Sequence, residues 1–536
     1  MPKKTPAPRA SVAVPPRSNG RWWALAALTL SVLVVGLDSF ILYTALPTLS
    51  ASLHASTTQL QWIQAAYTLA WAGLLLPIGT LGDQVGRRRM VLGGLLIFGV
   101  SSVIASQVTT ADALIAMRAL MGAGAAVIMP MVLAILPSLF PDAATRRKAV
   151  SAVTVGAILG LSLGPLLAGW LLTSFSWGSV FLINGPVVLL SLIGVAILVP
   201  ESKDPRATRL DWPGALLCAI GVMGVVYGII EQPTYGWAGR TLLPLIGGLA
   251  FLVAFLLRQR RSVAPLVDLR LFANRTFTWG TIAFAVISFA QAGMLFVVSP
   301  FLQVVQGNDA QGTGLRLLPM IAALLCGAGI SDAKAARFGA KLVIPAGMVV
   351  SAGGLAIFTV IHPGSGYGIV ALALVVFGFG LGLGLPLAAD TVLDALAPSQ
   401  AGMGNALSRT MQSMGVSLGS AILGSVLNSA YRDRIDSAVA ALPGGAQGAA
   451  RSGVEGAHGV AAQLPVAAGR VLTQAADRAY LHGMGQAAVT TAVLLVVGAA
   501  LVLRLLPKGH GGQGEQGGQG GHAVESEGGL AEVGLR

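Results

Sequence analysis

Two charged residues lie deep within long apolar runs, where they are candidates for chemistry inside a membrane. Asp38 is the only charged residue of the run 22–46, and Arg118 lies in the run 112–137. An ionised carboxylate is costly there unless it is paired or hydrated. At about 1.5 Å per residue, Asp38 lies roughly 13 Å and Arg118 roughly 9 Å from the same end of their helices. We predict that Asp38 exchanges protons and that Arg118 sets its charge state by direct or hydrogen-bonded contact. The alternative is a fixed structural ion pair.

A short loop with the sequence GTLGDQVGRRR, Gly79–Arg89, separates two uncharged apolar runs. Its acid, its glycines and its three consecutive arginines predict a tight turn held at one membrane face. The arginines also have a simpler interpretation as anchors that fix the topology. We prefer that interpretation for Arg89, and a gating role for Asp83, Gly86 and Arg87.

The composition places these residues in an integral membrane protein. The 536 residues are 54% hydrophobic and 10% charged, with a mean hydropathy of +0.76, whereas about a quarter of a soluble domain is charged. The net charge of +13 does not indicate nucleic acid, because the basic residues lie in short loops between apolar runs. Cys218 and Cys326 lie within apolar runs and predict neither a disulfide nor a metal site. We expect no enzyme activity, metal or cofactor, and no use of ATP, since the sequence has no catalytic cluster and no phosphate-binding loop.

Fourteen apolar runs follow one another along the chain. Runs of about 18 or more residues match a bilayer core about 30 Å thick. The runs are 22–46, 61–81, 90–107, 112–137, 149–173, 180–199, 212–230, 241–257, 278–304, 313–331, 341–361, 367–390, 405–428 and 484–506. The first run is too long for a signal peptide and has no convincing cleavage site, so we expect it to be retained. The sequence therefore predicts an all-α membrane protein with fourteen transmembrane helices.

The basic residues of the connections predict the orientation and the domain organisation. The short loops on one side hold essentially Arg240 alone, so the positive-inside rule places both termini in the cytoplasm. SDAKAARFGAK, Ser331–Lys341, resembles the loop at Gly79–Arg89 and indicates a repeated half, which is typical of transporters. The expected parts are a cytoplasmic segment 1–21, a six-helix bundle 22–199, two linking helices with their loops 200–276, a second six-helix bundle 277–506 and a disordered tail 507–536. Within the second bundle, the extracellular segment 429–482 is predicted to form short amphipathic helices.

Four local patterns together carry a family resemblance. They are the loop GTLGDQVGRRR, the stretch LIAMRALMGAGAA around Arg118, the regularly spaced glycines of the fifth run, and LDSFILYTALP at Leu37–Pro47. In these patterns the chain resembles the major facilitator superfamily, and specifically its fourteen-helix drug:proton antiporters. Met121 departs from the second pattern, which usually has Gln there. WGSVFLINGP, DWPGALL and PLVDLRLF are also typical of that branch, so the resemblance extends over about residues 21–506.

The resemblance implies roles for two sets of residues. In the loop, Asp83 accepts from a helix N-terminus or an arginine in one conformation and releases it in the other. The expected gating residues are Gly79, Asp83, Gly86, Arg87 and Arg88. In the fifth run, glycines four residues apart give a smooth helix face that permits close approach of another helix. The residues of this antiporter motif, with an expected role in conformational change and in preventing leaks, are Gly156, Gly160, Gly164, Pro165 and Gly169. Ordinary packing of small residues is the alternative.

Soft aromatic and methionine side chains suit a cavity for varied amphipathic molecules. The candidates for contact with substrate are Tyr67, Trp71, Gln291, Met294, Phe296, Gln303, Met320 and Phe377. Pumps of this branch that expel lipophilic cations often carry further acids in the second or tenth helix. The corresponding stretches here, WIQAAYTLAW and LPMIAALLCG, have none. We therefore expect neutral or monovalent antibiotics and dyes rather than divalent cations.

These observations together predict a proton-driven exporter of amphipathic drugs or antibiotics in the plasma membrane, acting as a monomer by alternating access. Its expected partners are a small amphipathic substrate, protons and the lipid bilayer, with no nucleic acid. One alternative is a dedicated exporter of a single endogenous metabolite, such as a self-made antibiotic or a siderophore. Another is a membrane sensor that keeps the fold but does not transport.

Overall fold

The computed structural model describes residues 18–203, 211–262, 266–396, 401–440 and 442–507. Most of the predicted N-terminal segment 1–21 and nearly all of the Gly-rich tail 507–536 lie outside these residues. The described residues form seventeen α-helices, one 3-10 helix and one π-helix, and they contain no strand. The all-helical part of the fold prediction is therefore confirmed.

The first part of the chain forms seven helices that pack as one bundle. They are α1 (Ser18–Leu53), α2 (Thr57–Val85), α3 (Arg87–Ala105), α4 (Ala111–Leu139), α5 (Ala143–Ser174), α6 (Ser179–Leu182) and α7 (Asn184–Leu198). The predicted run 180–199 is divided at Ile183 between α6 and α7. Helix α1 packs along α5, α2 packs along α4, and α3 packs against α4 and α7.

Two linking helices and a second bundle complete the chain. The linking helices, α8 (Trp212–Tyr235) and α9 (Gly239–Arg261), pack against each other. The remaining α-helices are α10 (Arg275–Pro300), α11 (Ala310–Phe338), α12 (Ala340–Phe358), α13 (Tyr367–Asp394), α14 (Ala401–Val439), α15 (Gly444–Arg451), α16 (Val454–Ala461) and α17 (Val466–Leu505). The 3-10 helix (Leu269–Ala273) precedes α10, and the π-helix (Phe301–Val305) directly extends it.

The second bundle repeats the packing of the first. Helix α10 packs along α14, α11 along α13, and α12 against α13 and α17, in the same way as α1 with α5, α2 with α4, and α3 with its two neighbours. The turn between paired helices is repeated too. Gly86 joins α2 to α3 with a φ of 119°, and Gly339 joins α11 to α12 with a φ of 81°. Glycine adopts such positive φ angles readily, so the similar segments 79–89 and 331–341 make the same kind of turn in both bundles.

The two bundles meet near the turn between α1 and α2, an end that we call the α1–α2 end. Here α2 packs on α14 and α5 packs on α11. The Gln61 side chain donates from Nε2 to the carbonyl of Ala421 at 2.9 Å, and the hydroxyls of Thr68 and Ser417 are 2.5 Å apart. The α1–α2 end is therefore closed by direct hydrogen bonds between the bundles.

The linking helix α8 covers this junction from the side. The Trp62 indole of α2 donates from Nε1 to the Glu231 carboxylate of α8 at 2.9 Å. The Ser425 hydroxyl of α14 donates to the carbonyl of Ile229 in α8 at 2.9 Å. Helix α8 is thus bonded to one helix of each bundle.

The segment 429–482 departs in part from expectation. It does contain two short helices, α15 and α16, but α14 continues to Val439 and α17 begins at Val466, 18 residues before the predicted run at 484. Apolar packing and polar pairs both hold these extensions, since Ile435 and Leu472 are buried in the same cluster as Ala450 of α15 and Val454 of α16. Arg451 donates from Nε to Asp436 at 2.7 Å, and His458 Nε2 lies 2.8 Å from Asp477. The long helices continue past the predicted runs because α15 and α16 cover their buried faces and pair with their polar side chains.

Many of the helices are apolar on their outward faces. By length and composition, eleven helices among the described residues can cross a membrane, with α6 and α7 counted together. Large apolar side chains face outward on several of them, for example Ile197 and Leu243, each 74% exposed. Such surfaces suit lipid rather than water, so the fold is that of a multi-pass membrane protein.

Candidate functional site

Asp38 and Arg118 form an ion pair inside the first bundle. Arg118 donates from Nη1 to Asp38 Oδ2 across 2.6 Å, and both residues are fully buried. Arg118 also donates from Nε to the carbonyl of Ile63 at 3.3 Å. Its guanidinium lies 4.3 Å from the centre of the Tyr67 ring. The structure therefore brings together the two charges that the sequence singled out, in a site built by α1, α2 and α4.

A proton on Asp38 separates this pair but leaves Arg118 charged and buried. Two opposite charges in a protein interior gain from each other only when the geometry is good, and removing one partner leaves a buried charge at a cost of about 3–5 kcal/mol. Arginine stays protonated in proteins. Neutralising the Asp38 carboxylate with a proton is therefore the simplest way to release Arg118 from it.

Asn184 is a third member of the site, which the sequence analysis did not select. It is the first residue of α7 and is fully buried. Its Nδ2 lies 3.3 Å from Asp38 Oδ1 and 3.1 Å from the Ser102 hydroxyl oxygen. The sequence did contain a sign of this role, since Asn184 is the only amide side chain in the apolar run 180–199. Nothing in that run indicates its partners on α1 and α3.

Several polar atoms around the pair have no hydrogen-bond partner in the described part of the chain. They are Arg118 Nη2, the Tyr67 hydroxyl, the Trp71 indole nitrogen and Asn184 Oδ1, all buried. Buried polar groups are usually paired, so each such atom calls for an explanation. Arg118 and Asn184 contact the Asp38 carboxylate directly, so their unpaired atoms are available to a rearranged site or to a bound molecule.

The glycines of α5 place α1 and its carboxylate. A Cβ atom added to Gly160 would lie 2.8 Å from the backbone nitrogen of Leu37, and one added to Gly164 would lie 3.0 Å from that of Ile41. Gly156 is similarly tight against the side chain of Thr29. Because Leu37 and Ile41 lie on either side of Asp38 in the chain, these glycines set how closely the ion pair approaches α5.

The same helix also contacts the second bundle. A Cβ atom on Gly169 would lie 2.6 Å from the Cα atom of Gln311 in α11. Gly314 of α11 in turn packs against the carbonyl of Pro165. The predicted motif residues therefore form two contact surfaces, with Gly156, Gly160 and Gly164 against α1, and Pro165 and Gly169 against α11.

The predicted gating loop closes on Glu201, a residue that the sequence analysis missed. The Glu201 carboxylate accepts the backbone N–H of Arg88, at the start of α3, at 3.1 Å. The Arg89 guanidinium lies 3.7 Å from the same carboxylate. A Cβ atom on Gly86 would lie 2.6 Å from Glu201 Oε1, so glycine is needed both for its φ and for this contact. A negative charge at the N-terminus of a helix is favourable.

The remaining loop residues tie α3 to its neighbours. Arg87 donates from Nη1 to the carbonyl of Ala134 in α4 at 2.9 Å. Arg88 donates from its side chain to the carbonyl of Ala196 in α7. Gly79 and Asp83 lie in α2, and the Asp83 side chain, on which the expected exchange of partners depends, lies outside what the structure describes.

The predicted substrate-contacting residues do not all lie in one place. Tyr67 lies against the Arg118 guanidinium, and the ring of Trp71 packs 5.9 Å from that of Tyr67. Gln303 joins the bundles by donating from Nε2 to the carbonyl of Thr44 at 2.6 Å. The others are buried in the second bundle, namely Gln291, Met294, Phe296, Met320 and Phe377. Of the predicted substrate-contacting residues, Tyr67 and Trp71 are therefore the ones closest to the ion pair by the contacts described.

Comparisons with known proteins show the family of the chain. A family model described as Major Facilitator Superfamily matches residues 28–420. The chain is 32% identical over 482 residues to the multidrug efflux pump LfrA of Mycolicibacterium smegmatis, covering 90% of this chain and 95% of that protein. It is 31% identical over 495 residues to the tetracenomycin C resistance and export protein of Streptomyces glaucescens, covering 90% and 92%.

The fold also matches solved transporter structures. A bacterial homolog of the human lysosomal transporter Spinster, in an inward-facing and unoccupied conformation, has a TM-score of 0.66 to this chain at 18% identity. The match covers 91% of this chain and 98% of that one. At this identity the likeness concerns the fold alone.

Proposed function

This chain belongs to the major facilitator superfamily, and we propose that it expels amphipathic drugs or antibiotics in exchange for protons. Family membership makes it a transporter and not an enzyme. Its apolar helices and its efflux-pump relatives make it a multi-pass protein of the plasma membrane. The proposal concerns the cargo, the proton and the way in which the two are exchanged.

The proposed topology has fourteen membrane crossings. Eleven crossings follow from length and composition. The other three are α2, α5 and α14, which have 29, 32 and 39 residues and pack within the bundles like their neighbours. Two six-helix bundles, 22–199 and 277–506, then flank the linking segment 200–276, and both termini are cytoplasmic. The α1–α2 end is extracellular in this arrangement.

The observation that carries the proposed coupling is the buried contact of 2.6 Å between Asp38 and Arg118. A proton on the carboxylate removes the attraction that holds Arg118, so protonation and rearrangement of the site are linked. Tyr67 and Trp71, with unpartnered polar atoms beside the pair, are the proposed contacts for cargo. The transporter therefore carries either the proton or the cargo at one place.

The proposed cycle is an alternation of the two bundles. The α1–α2 end, extracellular in the proposed topology, is closed in the described structure by contacts such as Gln61 to Ala421. Opening that end separates α2 from α14 and admits a proton to Asp38 from outside. The bundles then rock back, the proton leaves to the cytoplasm, and cargo takes its place. The glycines of α5 form the smooth surface on which α1 moves during the cycle. The loop at Gly86 gates the cytoplasmic side. A single chain is sufficient for the cycle.

A dedicated exporter of one metabolite is the second candidate. The tetracenomycin C resistance and export protein, a relative at 31% identity, has a single compound in its name. Broad and narrow export can be distinguished by measuring how much of two unrelated compounds the cells accumulate. Cells that express the chain are loaded with ethidium, a monovalent cation, or with chloramphenicol, a neutral antibiotic.

For a broad exporter, expression lowers the accumulation of both compounds and an uncoupler restores it. Vector-only cells are the control for endogenous pumps. Lowered accumulation of one unrelated compound alone favours the dedicated exporter. Export that continues at full rate after the uncoupler has collapsed the proton gradient contradicts proton coupling.

A further inference from the structure

Given the proposed function, on which this inference rests, we propose that Asn184 is a positioning residue that assigns the exchanged proton to one oxygen of Asp38. That oxygen is Oδ2, the one that Arg118 Nη1 contacts at 2.6 Å. Proton binding and the release of Arg118 then become a single event.

The orientation of the Asn184 amide follows from its neighbours. The Ser102 hydroxyl donates its only proton to the carbonyl of Phe181 at 2.8 Å. Towards Asn184 it can therefore only accept, so the amide nitrogen, and not the amide oxygen, must face it at 3.1 Å. The same nitrogen lies 3.3 Å from Asp38 Oδ1, an acceptor when ionised. Both contacts require the same orientation of the amide.

Burial keeps this orientation fixed. Ser102, Phe181, Asn184 and Asp38 are all fully buried, so water cannot readily replace any of the bonds between them. A turned amide would direct its oxygen at the carboxylate and at a hydroxyl with no proton to give. The amide therefore presents donors alone to its two partners.

The two oxygens of Asp38 consequently differ. Oδ1 faces an N–H donor and must remain an acceptor, because a proton there would point at the amide hydrogens. Oδ2 faces Arg118, which can leave. A proton arriving from the extracellular water binds Oδ2, the bond from Arg118 Nη1 breaks, and the arginine keeps its own charge. The freed guanidinium has acceptors within reach, since it lies under the Tyr67 ring and already bonds to the carbonyl of Ile63.

The test measures how transport depends on the pH of the proton-loading side. Purified protein in liposomes is driven by a pH gradient, and the initial rate of ethidium transport is recorded as the loading side is varied. Removing the donor with Asn184→Leu destabilises the ionised carboxylate, so protonation persists to higher pH. The pH of half-maximal transport is expected to rise by about one unit, the scale of one hydrogen bond to a charged group.

Two further variants keep the result interpretable. Ser102→Ala removes the partner that fixes the amide and is expected to shift the profile in the same direction by less. This variant carries the test if Asn184→Leu fails to fold. Ser191→Ala is the matched control, because Ser191 is buried on the same helix without a partner among the described residues, and its profile should equal that of the wild type.

Failure of this inference differs from failure of the proposed function. If Asp38→Asn still transports ethidium at the expense of the pH gradient, the coupling scheme itself is wrong. If Asp38→Asn abolishes transport while Asn184→Leu and Ser102→Ala keep the wild-type pH profile, Asp38 couples the proton but Asn184 does not direct it.

Discussion

Gly160 of α5 lies so close to Leu37 of α1 that an added Cβ atom would be 2.8 Å from the Leu37 backbone nitrogen. Leu37 directly precedes Asp38, so the backbone that carries the carboxylate rests on a surface without side chains. A smooth surface of this kind lets one helix slide or tilt on another with little repacking. The closeness of these two residues links the proton site to the helix that also contacts the second bundle.

Enlarging this contact should stop transport. In the variant Gly160→Val the new side chain meets backbone atoms of α1, which cannot move aside as a flexible side chain can. Overpacking of this kind costs about 1–3 kcal/mol, and displacement of Asp38 should lower the transport rate about tenfold or more. Ethidium efflux and the amount of membrane-inserted protein are measured together.

The matched control for this variant is Gly93→Val in α3, where an added Cβ atom meets nothing within 4 Å. It should transport and insert normally. Wild-type transport by Gly160→Val would show that the close approach of α1 and α5 is not needed.

The two equivalent turns should respond differently to alanine. Gly86→Ala introduces backbone strain of about 1–3 kcal/mol and also a Cβ atom 2.6 Å from the Glu201 carboxylate. Gly339→Ala introduces comparable strain, but its Cβ atom meets nothing within 4 Å. Thermal unfolding in detergent should show a larger decrease in melting temperature for Gly86→Ala than for Gly339→Ala. Equal losses would mean that the contact with Glu201 adds nothing.

A disulfide across the bundles should lock the closed end. The hydroxyls of Thr68 and Ser417 are 2.5 Å apart, so cysteines at the two positions can be bridged. The variant is made without the native Cys218 and Cys326. Oxidation should abolish ethidium export and a reductant should restore it, because opening of the extracellular end requires α2 to leave α14. Continued export by the fully oxidised protein would contradict that motion.

Much of the site could be predicted because its members differ from their local surroundings. Asp38 is the only charge in its apolar run, Arg118 is the only charge in the interior of a run that begins at Asp112, and the α5 glycines have a regular spacing. Asn184 and Glu201 were missed because their importance lies in contacts with helices distant in the chain. The helix extensions to Val439 and from Val466 were missed because they are stabilised by packing and polar pairs with α15 and α16, which a search for long apolar runs does not detect.

Helix α16, which is extracellular in the proposed topology, should pack more firmly at acidic pH. Burial raises the pKa of Glu455 above its usual value, while His458 nearby acts in the opposite direction. The contribution of Glu455 to stability is therefore fully present below the pKa of this carboxyl in the unfolded chain. It is lost as the pH rises through the raised pKa of the folded state. Groups that face this carboxyl are His458 on α16, Tyr431 on α14, and Asp477 and Tyr480 on α17.

Hydrogen exchange of the α16 amides measures this effect at pH 5 and pH 8. Protection factors, which correct for the intrinsic rise of amide exchange with pH, should be higher at pH 5, and Glu455→Gln should remove most of the difference. The variant leaves the contact between His458 and Asp477 in place, so it isolates the contribution of Glu455. A pH dependence that survives unchanged in Glu455→Gln would assign the effect to His458.

Proton movement by Asp38→Asn is the most direct test of the coupling scheme. The amide has nearly the shape of the carboxylate but cannot exchange a proton, so the variant should still bind ethidium. The wild-type protein is placed in liposomes that contain a pH-sensitive dye. Adding ethidium should then cause protons to cross the membrane in the direction opposite to ethidium. The variant should show neither proton release nor accumulation of ethidium against its gradient. Uphill ethidium transport by Asp38→Asn, with protons moving as in the wild type, would contradict the proposal that this carboxylate couples the two.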